Sequence, residues 1–244
     1  MSKQHQTDIK YQLLMSLLGL LLIFLLTVFP PEVTIDVSWR KPVIGSIFSI
    51  FCLLGLLAIF VPKHYCSKLG KKSKTNSSDS AEPVSHGTTS ILKGHHPTCG
   101  KFVAHIFWIN DRTFCAACIG LLVGGLLALA GAVIYFFCDF QVADYSSLLI
   151  MVGIMGVFFG LFQFKFRSLI RLSLNALFVL ASLLILIGVD ELVHSLVFDL
   201  FVFCLIVFWL FTRISFSQWD HEIICSSCDN ENCKVRHDKK GRKS

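Results

Sequence analysis

Charge is scarce in this sequence: Asp, Glu, Lys and Arg make up 16% of its 244 residues, against 54% hydrophobic residues and a mean hydropathy of +0.68. So low a charged fraction excludes a soluble globule with an ordinary polar surface. Polar and apolar residues do not alternate through the apolar runs, which excludes a transmembrane β-barrel. The first run ends in Val28-Phe29-Pro30-Pro31 with no small-x-small cleavage site, so it reads as a retained helix and not a removable signal peptide. There is no internal repeat strong enough for a transporter built from two halves. No base-reading module accompanies the net charge of +6, so no nucleic-acid partner is expected.

What is present is a series of long apolar runs. A spanning helix needs about 20 predominantly apolar residues, and windows of that kind lie at Leu13–Phe29, Val43–Val61, Cys115–Phe137, Ser147–Phe164, Ile170–Val189 and Leu192–Thr212. The fold class expected is an all-α membrane protein: a six-helix transmembrane bundle with a small cytoplasmic treble-clef-like zinc module, in the cell membrane. Cytoplasmic loops collect Lys and Arg. Twenty of the 22 basic residues precede span 1, lie between Pro62 and Phe114, join spans 4 and 5, or follow span 6; only Arg40 and Lys41 lie on the other side. Both termini and the long loop are therefore expected in the cytoplasm, where the basic tail can also touch anionic headgroups of the lipid bilayer.

The organisation that follows is a first transmembrane hairpin over 1–62, a disordered linker over 63–93, a Cys/His module over 94–120 running into span 3, a four-helix segment over 115–212 and a basic Cys/His tail over 213–244. Ser67–Lys93 has few large hydrophobes and reads as a tether. Asn76-Ser77-Ser78 matches a glycosylation acceptor that cytoplasmic placement would leave unused. Small residues recur at helical spacing, Gly120, Gly124, Ala128 and Ala132 on span 3 and Gly156 and Gly160 on span 4, which allows close helix approach within the bundle or, alternatively, self-association.

Seven of the ten cysteines, Cys66, Cys99, Cys115, Cys118, Cys225, Cys228 and Cys233, fall on the side expected to be cytoplasmic, where thiols stay reduced, so a disulfide framework is not expected. Cys52 and Cys204 lie inside spans as small packing residues, and Cys138 stands alone at the opposite face. The informative stretch is Gly94-His95-His96-Pro97-Thr98-Cys99-Gly100, followed by Lys101–Phe114 and then Cys115-Ala116-Ala117-Cys118. His96 and Cys99 form a knuckle-like pair. Phe102 to Ile109 is β-branched and aromatic, Asn110-Asp111 supplies a turn, and Arg112-Thr113-Phe114 returns. Cys115 and Cys118 then sit at a helix start, where unpaired N–H groups favour thiolate. Knuckle, hairpin and helix start are the parts of a treble-clef site, so His96, Cys99, Cys115 and Cys118 are expected to hold one structural zinc in a tetrahedron. His95 is an alternative to His96, and His105 an outer partner or a plain strand residue.

A second cluster, Cys225, Cys228, Cys233 and His237, has the compact C-x2-C-x4-C-x3-H spacing of a zinc knuckle with altered ligand types. It either forms its own site, making two ions in all, or pools with the first, with His221 as a further ligand. Cys115-Ala116-Ala117-Cys118-Ile119-Gly120 resembles the C-A-x-C-x-G motif that opens a span in a group of uncharacterised small prokaryotic multi-pass membrane proteins, where a Cys/His element precedes it. The resemblance covers 94–131; Ala117 stands where that group commonly has Arg, and His95-His96 where it has a Cys-His pair. It implies a cytoplasmic metal motif and no assigned activity.

Cys115 and Cys118 also have the spacing of a thiol–disulfide pair, although that chemistry serves the oxidising face. His95-His96-Pro97-Thr98-Cys99 departs from the Asp-His-His-Cys signature of palmitoyl-transferring enzymes at Gly94 and through the inserted Pro97-Thr98. Asp190, Glu191 and His194 cluster between spans 5 and 6, and Asp199 lies deeper, within an apolar run; an ionisable residue in a span points to ion or metal transport. The reading adopted is a scaffold or sensor with a structural zinc, no catalytic residue and an unknown protein partner.

Overall fold

The computed structural model describes residues 3–31, 37–60, 106–109, 112–138, 140–163, 166 and 168–226. They form six helices long and apolar enough to cross a membrane: α1 (Lys3–Val28), α2 (Arg40–Phe60), α3 (Ala116–Phe137), α4 (Ser146–Leu161), α5 (Ser168–Val193) and α6 (Leu196–Ser226). An antiparallel pair, β1 (Ile106–Ile109) and β2 (Arg112–Cys115), runs directly into α3, and a 3-10 turn at Ala143–Tyr145 leads into α4.

α5 is the central helix. Over its most apolar window 56% of residues are buried, against 22% for α1 and for α2. It packs on α4, α3 and α6, while α2 lies on α3 and α1 rests against α4 and α6. Lipid tails are as apolar as the side chains they would replace, so helices associate here through close packing and not through exclusion of water. The small-residue stripes supply that closeness. A Cβ built on Gly124 would lie 2.7 Å from the Ala176 Cα and carbonyl oxygen, and one on Gly153 would lie 2.8 Å from the Ala181 carbonyl, so α3 and α4 each meet the backbone of α5. Ala128 and Ala132 continue the α3 stripe fully buried. α1 is tied to α6 by polar contacts: Ser16 Oγ and Thr212 Oγ1 lie 2.9 Å apart, and Trp209 Nε1 donates to the Ser16 carbonyl at 3.2 Å.

The six expected spans appear in number and order, but the first begins earlier than expected, taking in Lys3 and Lys10, and the last two also differ in extent. The sequence leaves Asp190-Glu191 between two spans, whereas both residues belong to α5, because buried partners described below satisfy their carboxylates. α5 ends at Val193, and His194, with φ 51°, takes the left-handed conformation that stops a helix and lets the next begin at Leu196. α6 also continues past Thr212 to Ser226, so the first part of the expected tail is helical.

Candidate functional site

Two polar clusters lie buried at opposite ends of the bundle. The first gathers the start of α2, the end of α3, the end of α5 and the start of α6 around Arg40, which is 1% exposed. Its Nη1 pairs with Asp190 Oδ1, donates to Asp199 Oδ2 at 2.7 Å and reaches the Asp190 carbonyl at 3.3 Å. Its Nη2 lies 3.3 Å from His194 Nδ1; since a guanidinium only donates, Nδ1 is the accepting nitrogen and the ring proton belongs on Nε2. Tyr135 Oη lies 2.6 Å from Asp190 Oδ2 and 2.7 Å from Glu191 Oε2, and donates its single proton between them. Lys41 Nζ adds an ion pair to Glu191 Oε2 at 3.3 Å and sits 4.8 Å from the centre of the Tyr135 ring.

Three carboxylates thus face two fixed cations and the His194 ring. Asp199 Oδ1 is buried with no hydrogen-bond partner among the described residues. Ions removed from water are held only where partners replace their hydration, and nearly every group here has such partners. The sequence marks Asp199 as an intramembrane acid and Arg40 as a loop cation. The structure makes Arg40 the hub of the acid's network. An arginine opening one span and an aspartate inside another is the signal that could have paired them, because charges in apolar surroundings seek each other. Tyr135 carries no comparable signal.

The second cluster lies where α3 begins. Cys115, the last residue of β2, is buried, and Cys118 lies one turn into α3. Their side chains are in hydrogen-bonding contact, with the Arg213 guanidinium of α6 close enough to act on both electrostatically. Neither is joined in a disulfide to a described residue. The local sequence accounts for this placement: Cys115 ends the hairpin opposite Ile106, and the turn from strand to helix between Cys115 and Ala116 brings the second sulfur back beside the first. Beside them Arg171 Nη2 of α5 pairs with Asp220 Oδ2 of α6 at 3.3 Å, and Arg213 lies 5.5 Å from the centre of the Phe178 ring.

Comparison with known proteins finds no matching family model, no matching curated protein and no matching solved structure.

Function must then be argued from the residues themselves. Of the expected zinc ligands, Cys115 and Cys118 are brought together. His96, Cys99, Cys228, Cys233 and His237 lie outside the described residues, as does the side chain of Cys225, whose backbone falls in the last turn of α6. The expected linker over 63–93 and the turn at Asn110-Asp111 lie outside them too. Among the described residues no group of three or more His, Cys, Asp or Glu side chains is placed to hold a metal, so the acids around Arg40 are an ion-pair network and not a cation cage. Arg171 and Arg213, which the sequence counts among basic residues at the span ends, are both buried in the bundle.

Proposed function

We propose that this is a multi-pass membrane protein whose Cys115 end faces the cytoplasm and is organised by a structural zinc, and that it acts as a scaffold or sensor and not as an enzyme. The observation that carries the reading is the contact between the Cys115 and Cys118 side chains at the junction of β2 and α3. Two sulfurs already side by side need only deprotonation to share an ion. A helix N-terminus favours thiolate, and the positive charge of a bound zinc would stabilise the two sulfurs further. His96 and Cys99 are the proposed remaining ligands, and zinc would fasten the hairpin to the first turn of α3. The basic-residue bias supports the orientation, and a reducing compartment would keep the thiols available. The tail residues Cys225, Cys228, Cys233 and His237 are proposed as a second compact site.

Zinc content and thiol state of the purified full-length protein in detergent test this reading. Tightly held zinc with reduced cysteines is expected. Metal-free protein that cycles between dithiol and disulfide would replace it with a membrane thiol–disulfide oxidoreductase.

One observation favours a second reading, ion transport: the unpartnered Asp199 Oδ1 in the buried Arg40 network. A buried carboxylate oxygen within a span, with no partner among the described residues, is a place for a transported proton. On this reading Asp199→Asn abolishes flux in proteoliposomes while the protein still folds, and undiminished flux removes Asp199 from the mechanism.

A further inference from the structure

An apolar cavity of 540 Å³ opens in the Cys115 half of the bundle, between α2, α3, α5 and α6. Its volume lies within the range of about 300–1,000 Å³ typical of small-molecule sites. Its walls are mostly hydrocarbon, with Phe48 and Leu56 of α2 and Phe178 of α5 among them, and the polar side chains lining it are Cys52, Cys118, Ser182 and Arg213. Gly55 and Ile214, on α2 and α6, line the cavity and are also exposed on the outer face of the bundle, so it opens sideways, toward the position of the bilayer. Gly55 differs from the packing glycines of α3 and α4: a Cβ there would meet nothing within 4 Å. Its missing side chain leaves space that no neighbouring helix fills.

Arg213 supplies the second observation. It is 5% exposed, its Nε has no hydrogen-bond partner, and it forms no ion pair with any described residue. The nearby Arg171 repels it, while the one carboxylate in the group, that of Asp220, is engaged by Arg171. Among the described residues, no second carboxylate accompanies Asp220 to pair with Arg213. A buried guanidinium without an anion is a costly arrangement, and its planar fork of donors matches the oxygens of a carboxylate or phosphate. Every other buried arginine described here, Arg40 and Arg171, has its carboxylate.

The geometry points to this cavity as a binding site for an amphiphile with an oxyanion head group, its acyl chain between α2 and α6 and its head on Arg213. The lateral opening selects a membrane-resident ligand over a water-soluble anion, and the guanidinium of Arg213 matches an anionic head. The inference does not rest on the zinc reading. Zinc at Cys118 would bring some negative charge toward the guanidinium, but no oxygen to accept its hydrogen bonds.

Native mass spectrometry of the full-length protein, released from detergent and titrated with oleate, phosphatidylglycerol, monoolein or phosphatidylcholine, tests the site. One oleate or one phosphatidylglycerol per chain is expected, at least tenfold tighter than the uncharged or zwitterionic amphiphile of matching chain. Preference between the two anionic probes tells a free fatty acid from a membrane phospholipid. Arg213→Gln should erase the preference for the anion. Gly55→Leu, whose Cβ meets nothing within 4 Å and whose side chain would obstruct the opening between α2 and α6, should weaken binding at least tenfold and serves as the decisive variant if Arg213→Gln fails to fold. Performed with and without a zinc chelator, the titration separates this site from the metal: binding that survives chelation supports the inference even where no zinc is found. Equal binding of charged and neutral amphiphiles, or undiminished binding by Gly55→Leu, would overturn it.

Discussion

Arg40, the first residue of α2, donates a 2.7 Å hydrogen bond to Asp199 in the first turn of α6, across 159 positions of sequence, with neither side chain more than 1% exposed. The same guanidinium also holds Asp190 at the end of α5. One residue thereby joins three helices at the end of the bundle opposite the cysteines. Such a pair is weak evidence for net stability, since both ions lost their water to form it, but removing one member leaves the others uncompensated.

Arg40→Gln should therefore destabilise the protein strongly, by about 3–5 kcal/mol, the usual cost of stranding a buried charge. Asp199→Asn should cost less, because the amide still accepts from Arg40 and Asp199 shares the arginine with Asp190. Thermal unfolding in detergent, followed by the helical circular dichroism signal, checks the order. A larger loss in Asp199→Asn than in Arg40→Gln would contradict the account of Arg40 as hub.

The glycine stripes yield a paired prediction. Gly124→Ala places a methyl group 2.7 Å from the backbone of Ala176 and should force α3 away from α5, a change of the overpacking kind that costs about 1–3 kcal/mol. Gly55→Ala meets no neighbour and should be neutral or slightly stabilising, since alanine is the better helix former. Melting temperatures of the two variants, measured side by side, should move in different directions or at least by clearly different amounts.

The number and order of the helices were legible in the sequence because continuous apolar runs have few alternatives. The hairpin before α3 was legible as well, through β-branched and aromatic residues followed by a returning Arg112-Thr113-Phe114, and so was the helix start after Cys115. The site at Arg40 was legible only in half. Asp199 stands out within Leu-Val-Phe-Asp-Leu-Phe, but the partner that explains it lies on another helix, and a single charge at a span's edge looks the same whether it faces a headgroup or a carboxylate. For that reason Asp190 and Glu191 read as a loop, although Arg40, Lys41 and Tyr135 hold them in helix. Arg213 was illegible for the converse reason: by position it belongs to the basic residues that follow a span, and only three-dimensional packing reveals that it is buried with no ion pair to a described residue.

Orientation can be tested with the exposed Cys138, which follows α3 at the Arg40 end. If the basic-residue bias sets topology, an impermeant maleimide applied to intact cells should label Cys138 and leave Cys66 and Cys233 unmodified until the membrane is permeabilised. Labelling of Cys66 or Cys233 in intact cells would invert the bundle, and disulfides would then become the leading role for those thiols.

The central claim is that Cys115 and Cys118 share a zinc, and the most direct measurement is the zinc stoichiometry of the purified protein beside that of the Cys115→Ser, Cys118→Ser double variant. The account predicts that the double variant loses about one ion and that protease cleaves its 94–114 segment faster, since a structural site needs all four ligands to stay closed. Cys225→Ser should leave that ion in place if the tail forms its own cluster. Full zinc content and unchanged protease protection in the double variant would contradict the account and leave the two touching thiols as packing or redox groups.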